Sequence, residues 1–577
     1  MKKLLWLLPF AFIACSTTAA PARIDVAGSV PAGWPYALNV QPATASRAMV
    51  ATDAPIATEV GVQVLRDGGN AIDAAVATAF ALAVVYPEAG NLGGGGFMVT
   101  RLATGATAAL DFREKAPLAA TRDMYLDAQG NVTEHSLIGH QASGVPGAVA
   151  GLWQAHQRFG SLPWAQLLAP AIQLAEAGFT VDAAFAASLR AAAPRLRRFS
   201  GSTALFFPTD VALQAGSLWR NPDIARVLRR IAQHGPAGFY EGETADLIVA
   251  EMARGGGIIT HEDLRRYRAE WREPVVFTYR GHRVISMPPA SSGGITLAIM
   301  ANILDGYPLR EFGWHSVTAL HLTAEAMRRA FADRNHYLGD PAFVSVPRAL
   351  LSSDEYAARQ RATISRERAT PSTSIRPGLG ATGEPAHTTH FSIVDAAGNA
   401  VALTTTINEL YGSAVTVSGA GFLLNDEMDD FAARPGTPNM FGLVQGEANT
   451  IAPEKRMLSA MTPTIVLDRD DNVLMVTGAR GGPRIITAVF QVISNVIDYG
   501  MDVGTAVHAP RIHHQHLPDV LGYERDGIPQ DVLARLQAMG HTVEARASVG
   551  TAPTILRRGG VWTGVPDPRT GGLAAGY

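Results

Sequence analysis

The stretch TTHFSIVDAAGNAVALTTT, residues 388–406, decides the fold of this 577-residue chain. Its two outer runs are rich in β-branched residues, which favours a pair of strands. Between them, Asp395 suits the opening of a type I turn, and Gly398 suits the left-handed position of a short hairpin loop. A hairpin centred on residue 397 places Thr388 opposite Thr406, within about one residue of bulge slippage.

The region just before this hairpin differs in composition. Residues 361–387 are rich in Arg, Ser, Thr, Pro and Gly and lack apolar periodicity, which predicts a mobile surface segment. A G-x-G-x-x-G match lies at 378–383, but a nucleotide site requires that motif to join a strand to a helix. Here Pro377 and Pro385 flank the motif, so we interpret it as a loop.

Thr388 combines three features, because a flexible segment ends there, a strand begins there, and a second threonine faces it. A threonine hydroxyl in mid-chain has no base of its own. If the chain is cut before Thr388, the new α-amine, with an ordinary pKa of about 7.7–8.0, can accept the hydroxyl proton directly or through water. Threonine also favours ordinary strands, so spacing alone leaves both interpretations open.

The remaining sequence predicts mostly helices before the hairpin and more β structure after it. Asn70 is expected to cap an Ala-rich helix. The other predicted helices are Pro55–Leu65, Gly147–Phe159, Pro163–Ala177, His315–Tyr337 and Arg484–Tyr499. The predicted β runs are Gly96–Arg101 and Pro274–Met287, with a second hairpin in Thr462–Gly478.

The first twenty residues have the composition of an export signal. Lys2 and Lys3 precede an apolar run of about ten residues, which is too short to cross a bilayer, and small residues follow it. Cys15 sits in a box similar to that of bacterial lipoproteins, with Phe12 where Leu is usual, so lipidation and plain cleavage both stay open. We expect a periplasmic or secreted protein, with a membrane-anchored lipoprotein as the alternative.

Composition excludes several classes of partner. The net charge is −3 and no long basic run occurs, so nucleic acid is not an expected partner.

The single cysteine leaves no disulfide and no thiolate chemistry in the mature protein. His513, His514 and His516 suggest a metal, but adjacent histidines converge poorly on one ion and no acidic helix motif accompanies them. We therefore expect neither a metal nor another cofactor.

Nine motifs follow one another along the chain: GGGGFM at 93–98, DFRE at 111–114, SGVPG at 143–147, PPASSGG at 288–294, HTTHF at 387–391, LNDEMDDF at 424–431, LSAMTPT at 458–464, GGPRII at 481–486 and LAAGY at 573–577. As a set they closely resemble the γ-glutamyltranspeptidase family. The resemblance spans nearly the whole mature chain.

The resemblance implies an α/β (α+β) fold, the αββα sandwich of N-terminal nucleophile hydrolases, in a chain that cuts itself. Thr388 Oγ would attack the carbonyl carbon of His387, the acyl link would shift from N to O, and water would hydrolyse the ester. The expected parts are a signal peptide 1–20, a large subunit 21–387 with the mobile segment 361–387, and a small catalytic subunit 388–577, which together form one globular unit.

The implied reaction is γ-glutamyl transfer from glutathione and related compounds. An ester on Thr388 would form, and water, an amino acid or a peptide would resolve it. Thr406 would orient the Thr388 amine or hydroxyl, and the backbone N–H groups of Gly481 and Gly482 would stabilise the oxyanion.

The resemblance also assigns residues to the two charges of the γ-glutamyl end. Arg113 would pair with the α-carboxylate, and Ser459 and the backbone at Ala460 would complete that contact. The α-ammonium would be held by Asn408, Glu427 and Asp430. A bare acidic run such as 426–430 is otherwise typical of a solvated turn.

Two positions depart from bacterial relatives. A second serine is common where Ala460 stands, so one hydroxyl is lost, which is tolerable if the backbone N–H there carries the contact. Tyr is common in a lid-like loop where Phe441 stands, so the apolar gate remains but another hydroxyl is lost. The departures leave gating and water exclusion in doubt.

Two other functions stay open. An acylase of the same fold would act on glutaryl-β-lactams, although Glu427 and Asp430 argue against it because a glutaryl group has no α-ammonium. A non-catalytic exported lipoprotein that binds peptides would never be cut, and would run as one band on a denaturing gel.

Overall fold

The computed structural model describes residue 26, residues 29–375 and residues 388–577. The predicted signal peptide, Cys15, the G-x-G-x-x-G loop and His387 lie outside the described residues. Among the described residues, no helix combines the length and the apolar character needed to cross a bilayer.

Two seven-stranded sheets form the centre of the molecule, accompanied by one three-stranded and one two-stranded sheet. Their strands are β1 (Ala43–Ala45), β2 (Met49–Thr52), β3 (Gly95–Arg101), β4 (Thr107–Phe112), β5 (Phe179–Thr180), β6 (Leu218–Trp219), β7 (Glu270–Arg272), β8 (Val275–Tyr279), β9 (His282–Ser286), β10 (Thr389–Val394), β11 (Ala400–Thr406), β12 (Thr464–Leu467), β13 (Val473–Thr477), β14 (Ile512–His513), β15 (Leu521–Glu524), β16 (Val543–Arg546), β17 (Thr554–Arg558), β18 (Val561–Val565) and β19 (Leu573–Gly576). One large sheet has the order β19-β2-β10-β11-β3-β4-β7 and the other β1-β18-β17-β13-β12-β9-β8.

Helices cover both outer faces. They are α1 (Pro55–Arg66), α2 (Ala71–Val85), α3 (Ala148–Phe159), α4 (Trp164–Ala177), α5 (Ala183–Leu196), α6 (Ser200–Phe206), α7 (Pro222–His234), α8 (Ala237–Tyr240), α9 (Gly242–Gly255), α10 (His261–Arg266), α11 (Gly293–Asp305), α12 (Leu309–Phe312), α13 (Val317–Tyr337), α14 (Arg348–Leu351), α15 (Asp354–Ala362), α16 (Arg484–Ile497), α17 (Val503–His508) and α18 (Gln530–Ala538). Helices α1, α2 and α3 pack on the sheet that contains β10, and α11 and α17 pack on the sheet that contains β13. Strands β10 and β11 face β13, so the predicted αββα sandwich is confirmed.

The central hairpin has the predicted register. Thr389 pairs with Thr405 and Val394 with Ala400, so Thr388 lies directly before β10 on the line that leads to Thr406. The Asp395 carboxylate closes the loop, because it accepts hydrogen bonds from the amides of residues 397 and 399, each 2.9 Å long. The second predicted hairpin is β12–β13, which turns at residues 468–472.

Local sequence signals also fix the Ala-rich helix α2. Asn70 Oδ1 accepts hydrogen bonds from the amides of Ile72 and Asp73 at 2.9 and 3.0 Å, and Asp73 Oδ2 accepts one from the Asn70 amide at 3.0 Å. This reciprocal capping box satisfies amides that the first turn of a helix leaves without partners.

Replacing Asn70 with alanine should lower the free energy of unfolding by about 1–2 kcal/mol, since the cap is lost from a buried helix. Chemical denaturation of the purified protein measures the change. Gln63→Ala is a suitable control, because its amide bonds only the exposed Asp67 carboxylate. Equal stability of the Asn70 and Gln63 variants would contradict the role of the cap.

The first part of the segment expected to be mobile has a defined place. Thr370 donates to the buried Glu325 carboxylate on α13, and the Ser372 amide donates to Asp519 Oδ2 at 2.8 Å. Residues 361–375 are thus held by charges of α13 and of the 514–519 loop, which the composition of the segment did not indicate. Residues 376–387 lie outside the described part.

Candidate active site

A small cavity lies at the start of β10. The residues that line it come from both halves of the sequence: Arg113, Arg334, Thr388, Thr406, Asn408, Glu427, Asp430, Phe441, Leu443, Leu458, Ser459, Ala460, Met461, Gly482, Pro483 and Ile485. All the predicted catalytic and binding residues except Gly481 therefore line one cavity. Gly481 directly precedes Gly482, which is one of the lining residues.

Thr388 occupies one end of this cavity. Its side chain is buried, and so is that of Thr406. Thr406 Oγ1 accepts a hydrogen bond of 2.8 Å from the Asn408 amide, which fixes the position of the Thr406 hydroxyl. Asn408 itself has a φ of 74°, a left-handed conformation that turns the chain at the end of β11 into the cavity.

His390 lies on the same face of β10 as Thr388 and could be taken for its general base. Its two ring nitrogens already meet Thr404 Oγ1 at 2.9 Å and Ser392 Oγ at 3.1 Å. Burial lowers the pKa of His390 to about 3, so its imidazole stays neutral. The ring is also packed against Gly478, where a side chain would collide with it. His390 is therefore a packing residue between the two sheets.

The second wall near Thr388 is the turn Gly481-Gly482, which precedes α16. Gly481 has a φ of 127° and Gly482 a φ of 56°, both in the region that favours glycine. A Cβ on Gly481 would also lie 3.0 Å from Gly550 Cα. Because a helix begins two residues later, backbone N–H groups at this end carry partial positive charge. The turn can therefore stabilise negative charge that develops beside Thr388.

Charged side chains also line the cavity. Arg113 is fully buried and forms ion pairs with Glu427 and Asp430, and its NH1 lies 3.4 Å from Glu114 Oε2. Its Nε also donates to the Met457 carbonyl at 3.3 Å. The sequence assigned Arg113 and the two carboxylates to opposite charges of a substrate, whereas here they pair with one another.

These pairings leave the site with unmet hydrogen-bonding capacity. Within the described part of the chain, Glu427 Oε1 and Glu114 Oε1 have no hydrogen-bond donor, whereas Glu427 Oε2 is in the ion pair with Arg113. Burial raises the pKa of Glu427 well above its ordinary value, and Arg113 opposes that rise. A cationic donor beside Glu427, on the side away from Arg113, would give Glu427 Oε1 a partner.

Ser459 and Ala460 line the same cavity. The Ser459 hydroxyl accepts from the Met461 amide at 3.1 Å, and the Ser459 amide donates to the Ala290 carbonyl at 3.0 Å. The side chain of Ala460 contributes only a methyl group to the cavity wall. The Ser459 hydroxyl can still donate its proton to a ligand, because the bond to Met461 uses only a lone pair.

Phe441 covers the cavity from a loop at 438–444. Its ring is buried and its carbonyl accepts a 3.0 Å hydrogen bond from Gln515 Nε2. The preceding residue is held as well, because the Met440 amide donates to Asp429 Oδ2 at 3.0 Å. The loop is thus fastened on both sides of Phe441 without a phenolic hydroxyl.

Two charged residues of the cavity region were missed by the sequence analysis. Arg334 on α13 lines the cavity and donates from Nε to Ser292 Oγ at 3.0 Å. Burial lowers the pKa of Arg334 to about 10, and the neighbouring Asp430 opposes that shift. Glu114 follows Arg113 directly. The only signal for Arg334 in the sequence was its charge inside a helix that is otherwise buried. A charge in such a helix does not indicate where the side chain points.

The three histidines near residue 514 do not converge. His513 contacts Thr487 and Gln515, His514 contacts Asp519, and His516 contacts the Ser372 carbonyl. Among the described residues, the grouping with the spacing of metal ligands is His321, Glu325 and His541. There Glu325 already pairs with Arg328 and Arg329, and His321 bonds the Ser365 carbonyl, so this donor set fits a metal poorly.

A two-sheet sandwich between helical layers, with a threonine at the start of a central strand facing a charged cavity, defines an N-terminal nucleophile hydrolase. The profile described as gamma-glutamyltranspeptidase matches residues 57–577. The chain is 45% identical to the glutathione hydrolase proenzyme of Escherichia coli over 96% of both chains, and 47% identical to that of Pseudomonas aeruginosa over 92% of this chain and 95% of the other. The cephalosporin acylase from Bacillus halodurans superimposes with a TM-score of 0.83 and 31% identity, covering 95% of this chain and 99% of that one.

The chain belongs to the γ-glutamyltranspeptidase family. It is an enzyme, a self-processed γ-glutamyl transferase and hydrolase made as a proenzyme.

Proposed function

We propose that Thr388 is the nucleophile and that glutathione and other γ-glutamyl amides are the donors. The Thr388 hydroxyl attacks the γ-carbonyl carbon, and its proton passes to the free α-amine of the same residue. The tetrahedral oxyanion is stabilised by the N–H groups of Gly481 and Gly482. Collapse of the intermediate breaks the γ-amide bond, the amine leaves with a proton, and a γ-glutamyl ester remains on Thr388.

Water or the amine of an amino acid or peptide then attacks the ester carbonyl. The same α-amine accepts the proton of the attacking group and returns one to the Thr388 hydroxyl. Maturation uses the same hydroxyl, which attacks the His387 carbonyl and replaces the peptide bond by an ester that water hydrolyses. The large subunit thus ends at His387 and the small subunit begins at Thr388.

The choice of donor rests on the carboxylate of Glu427, which is buried in the Thr388 cavity, pairs with Arg113 through Oε2, and has no donor to Oε1 among the described residues. An α-amino acid end offers an ammonium to Glu427 and Asp430 and a carboxylate to Arg113. When the ammonium enters, Arg113 can exchange one of its present carboxylate partners for the α-carboxylate of the donor. Charge is then matched on both sides.

Glutaryl amides, the donors of the alternative acylase function, are the competing donor class, since glutaryl and γ-glutamyl groups differ only in the α-ammonium. We expect the p-nitroanilide of the γ-glutamyl group to react at least about 100-fold faster than that of the glutaryl group, because a buried charged hydrogen bond contributes several kcal/mol. Release of p-nitroaniline from both donors, read as kcat/KM, measures the ratio. A ratio near one or in favour of glutaryl would contradict the proposed donor.

Export is part of the proposal. The basic start, the short apolar run and the small residues after it suit a cleaved signal, with delivery to the periplasm or the medium. Cys15 adds a possible lipid anchor, which partition of the mature protein into detergent would reveal.

A further inference from the structure

A buried arginine that the reaction steps above do not use stands directly before the glycine turn. The side chain of Arg480 is about 12% exposed. It donates to the Tyr86 hydroxyl, and its NH1 lies 3.7 Å from Glu88 Oε1. Tyr86 is the C-cap residue directly after α2, so the arginine connects the loop after β13 to the helical layer on the opposite sheet.

The backbone of Arg480 is fixed as well. Its amide donates to the Thr551 carbonyl at 2.9 Å, and the Thr551 amide returns a bond of 3.1 Å. On the far side of the turn, the Arg484 amide donates to the Gly481 carbonyl at 3.2 Å. Two glycines with unusual φ values are therefore held between an anchored residue before them and a helix start after them.

The charge of the arginine also influences a carboxylate that contacts the nucleophile strand. Asp53 is buried, and its Oδ2 accepts a 3.0 Å hydrogen bond from Thr389 Oγ1, the hydroxyl of the residue next to Thr388. Its Oδ1 accepts from Thr570 Oγ1 at 3.2 Å. Burial raises the pKa of Asp53 to about 6, and the positive charge of Arg480 works against that rise. The positive charge of Arg480 therefore acts on the carboxylate that bonds the start of β10.

We propose that Arg480 is a positioning residue for oxyanion stabilisation. Its guanidinium fastens the start of the Gly481-Gly482 turn to the end of α2 and to the acidic groups beside β10, and thereby holds the turn's N–H groups against the carbonyl that Thr388 attacks. The inference deepens the proposed function and rests on it. A shift of about 1 Å in such a group can cost about 100-fold in rate.

The test uses the mature enzyme with Arg480→Met, which keeps the length of the side chain and removes its charge and donors. We expect kcat for a γ-glutamyl anilide to fall roughly 10- to 100-fold, because oxyanion donors act mainly in the transition state, whereas KM changes less than about threefold. Arg480→Lys, which keeps the charge without the planar fork, should give an intermediate kcat.

Two inhibitors separate positioning from a general structural defect. An analogue of glutamate with a boronic acid in place of the γ-carboxyl can form a tetrahedral adduct with the Thr388 hydroxyl, whereas L-glutamate binds only as a ground-state ligand. In Arg480→Met we expect the boronate to bind at least tenfold more weakly and L-glutamate to bind within about twofold of the parent enzyme. Equal weakening of both ligands, or no change in either, would overturn the proposal.

Arg280 provides the matched control. It bonds Asp498 at 2.8 Å beside the Tyr279 hydroxyl, a similar cluster at the outer end of the other sheet. Arg280→Met should leave kcat unchanged. If Arg480→Met fails to fold or mature, Arg480→Lys and Tyr86→Phe are tested in the same way. Each of these variants must weaken the binding of the boronate more than the binding of L-glutamate.

The parent enzyme distinguishes the two levels of inference. If its small subunit does not begin at Thr388, or the boronate forms no adduct there, the proposed function fails. If both hold in the parent and the two inhibitors respond alike in the variants, only the role of Arg480 fails.

Discussion

The Thr388→Ala variant is expected to remain one uncut chain with no detectable γ-glutamyl turnover. Cleavage and turnover both begin with attack by the Thr388 hydroxyl. His390 cannot replace it, since burial lowers the pKa of His390 and both its ring nitrogens are already bonded. Loss of a nucleophile of this kind costs about 10⁴-fold or more in rate. A denaturing gel and an assay of p-nitroaniline release measure the two effects.

N-terminal sequencing makes the result specific to one bond. The small fragment of the parent enzyme should begin Thr-Thr-His-Phe, and Thr389→Ala, which removes the same hydroxyl one residue further along, should still be cut and begin Thr-Ala-His-Phe. Thr389 points to the opposite face of β10, towards Asp53. Active enzyme in one unbroken chain, or a small fragment that starts elsewhere, would contradict the role of Thr388.

The hairpin that carries Thr388 was predictable because its signals are local. An Asp and a Gly at fixed positions set the loop, and the loop sets the register, so Thr388 and Thr406 follow from counting residues. The capping box of α2 and the β12–β13 hairpin are local in the same sense. The family motifs then identified the distant members of the site, which no periodicity connects to residue 388.

The charge arrangement was not predictable for a physical reason. Arg113 and Glu427 are more than 300 positions apart in sequence, and a residue type does not say whether a side chain meets a ligand or another side chain. The pairing of Arg113 with Glu427 and Asp430 follows from burial, since three carboxylates in one apolar surrounding require a cation whether or not a substrate is bound. Arg334 and Arg480 were missed for the same reason.

This arrangement determines which substitution gives a clear answer about the donor. Removing Arg113 would leave Glu114, Glu427 and Asp430 buried without their shared cation, which typically costs about 3–5 kcal/mol of stability. A loss of activity would then have two explanations. Glu427→Gln keeps the shape of the side chain, removes one negative charge from a site with an excess of them, and leaves Arg113 paired with Asp430.

We therefore expect Glu427→Gln to mature normally and to lose about 30- to 1,000-fold in kcat/KM for the γ-glutamyl anilide, the effect of about 2–4 kcal/mol for one charged partner of the α-ammonium. The glutaryl anilide has no ammonium, so its kcat/KM should change by less than about threefold. The ratio of the two rates is the measurement, because it cancels any change in the amount of active enzyme. Glu447→Gln, which alters only an exposed pair with Arg122, should leave the ratio unchanged. A parallel loss on both anilides would show that Glu427 supports the fold of the cavity and does not bind the ammonium. The α-amino group of the donor would then need another partner among the residues that line the cavity.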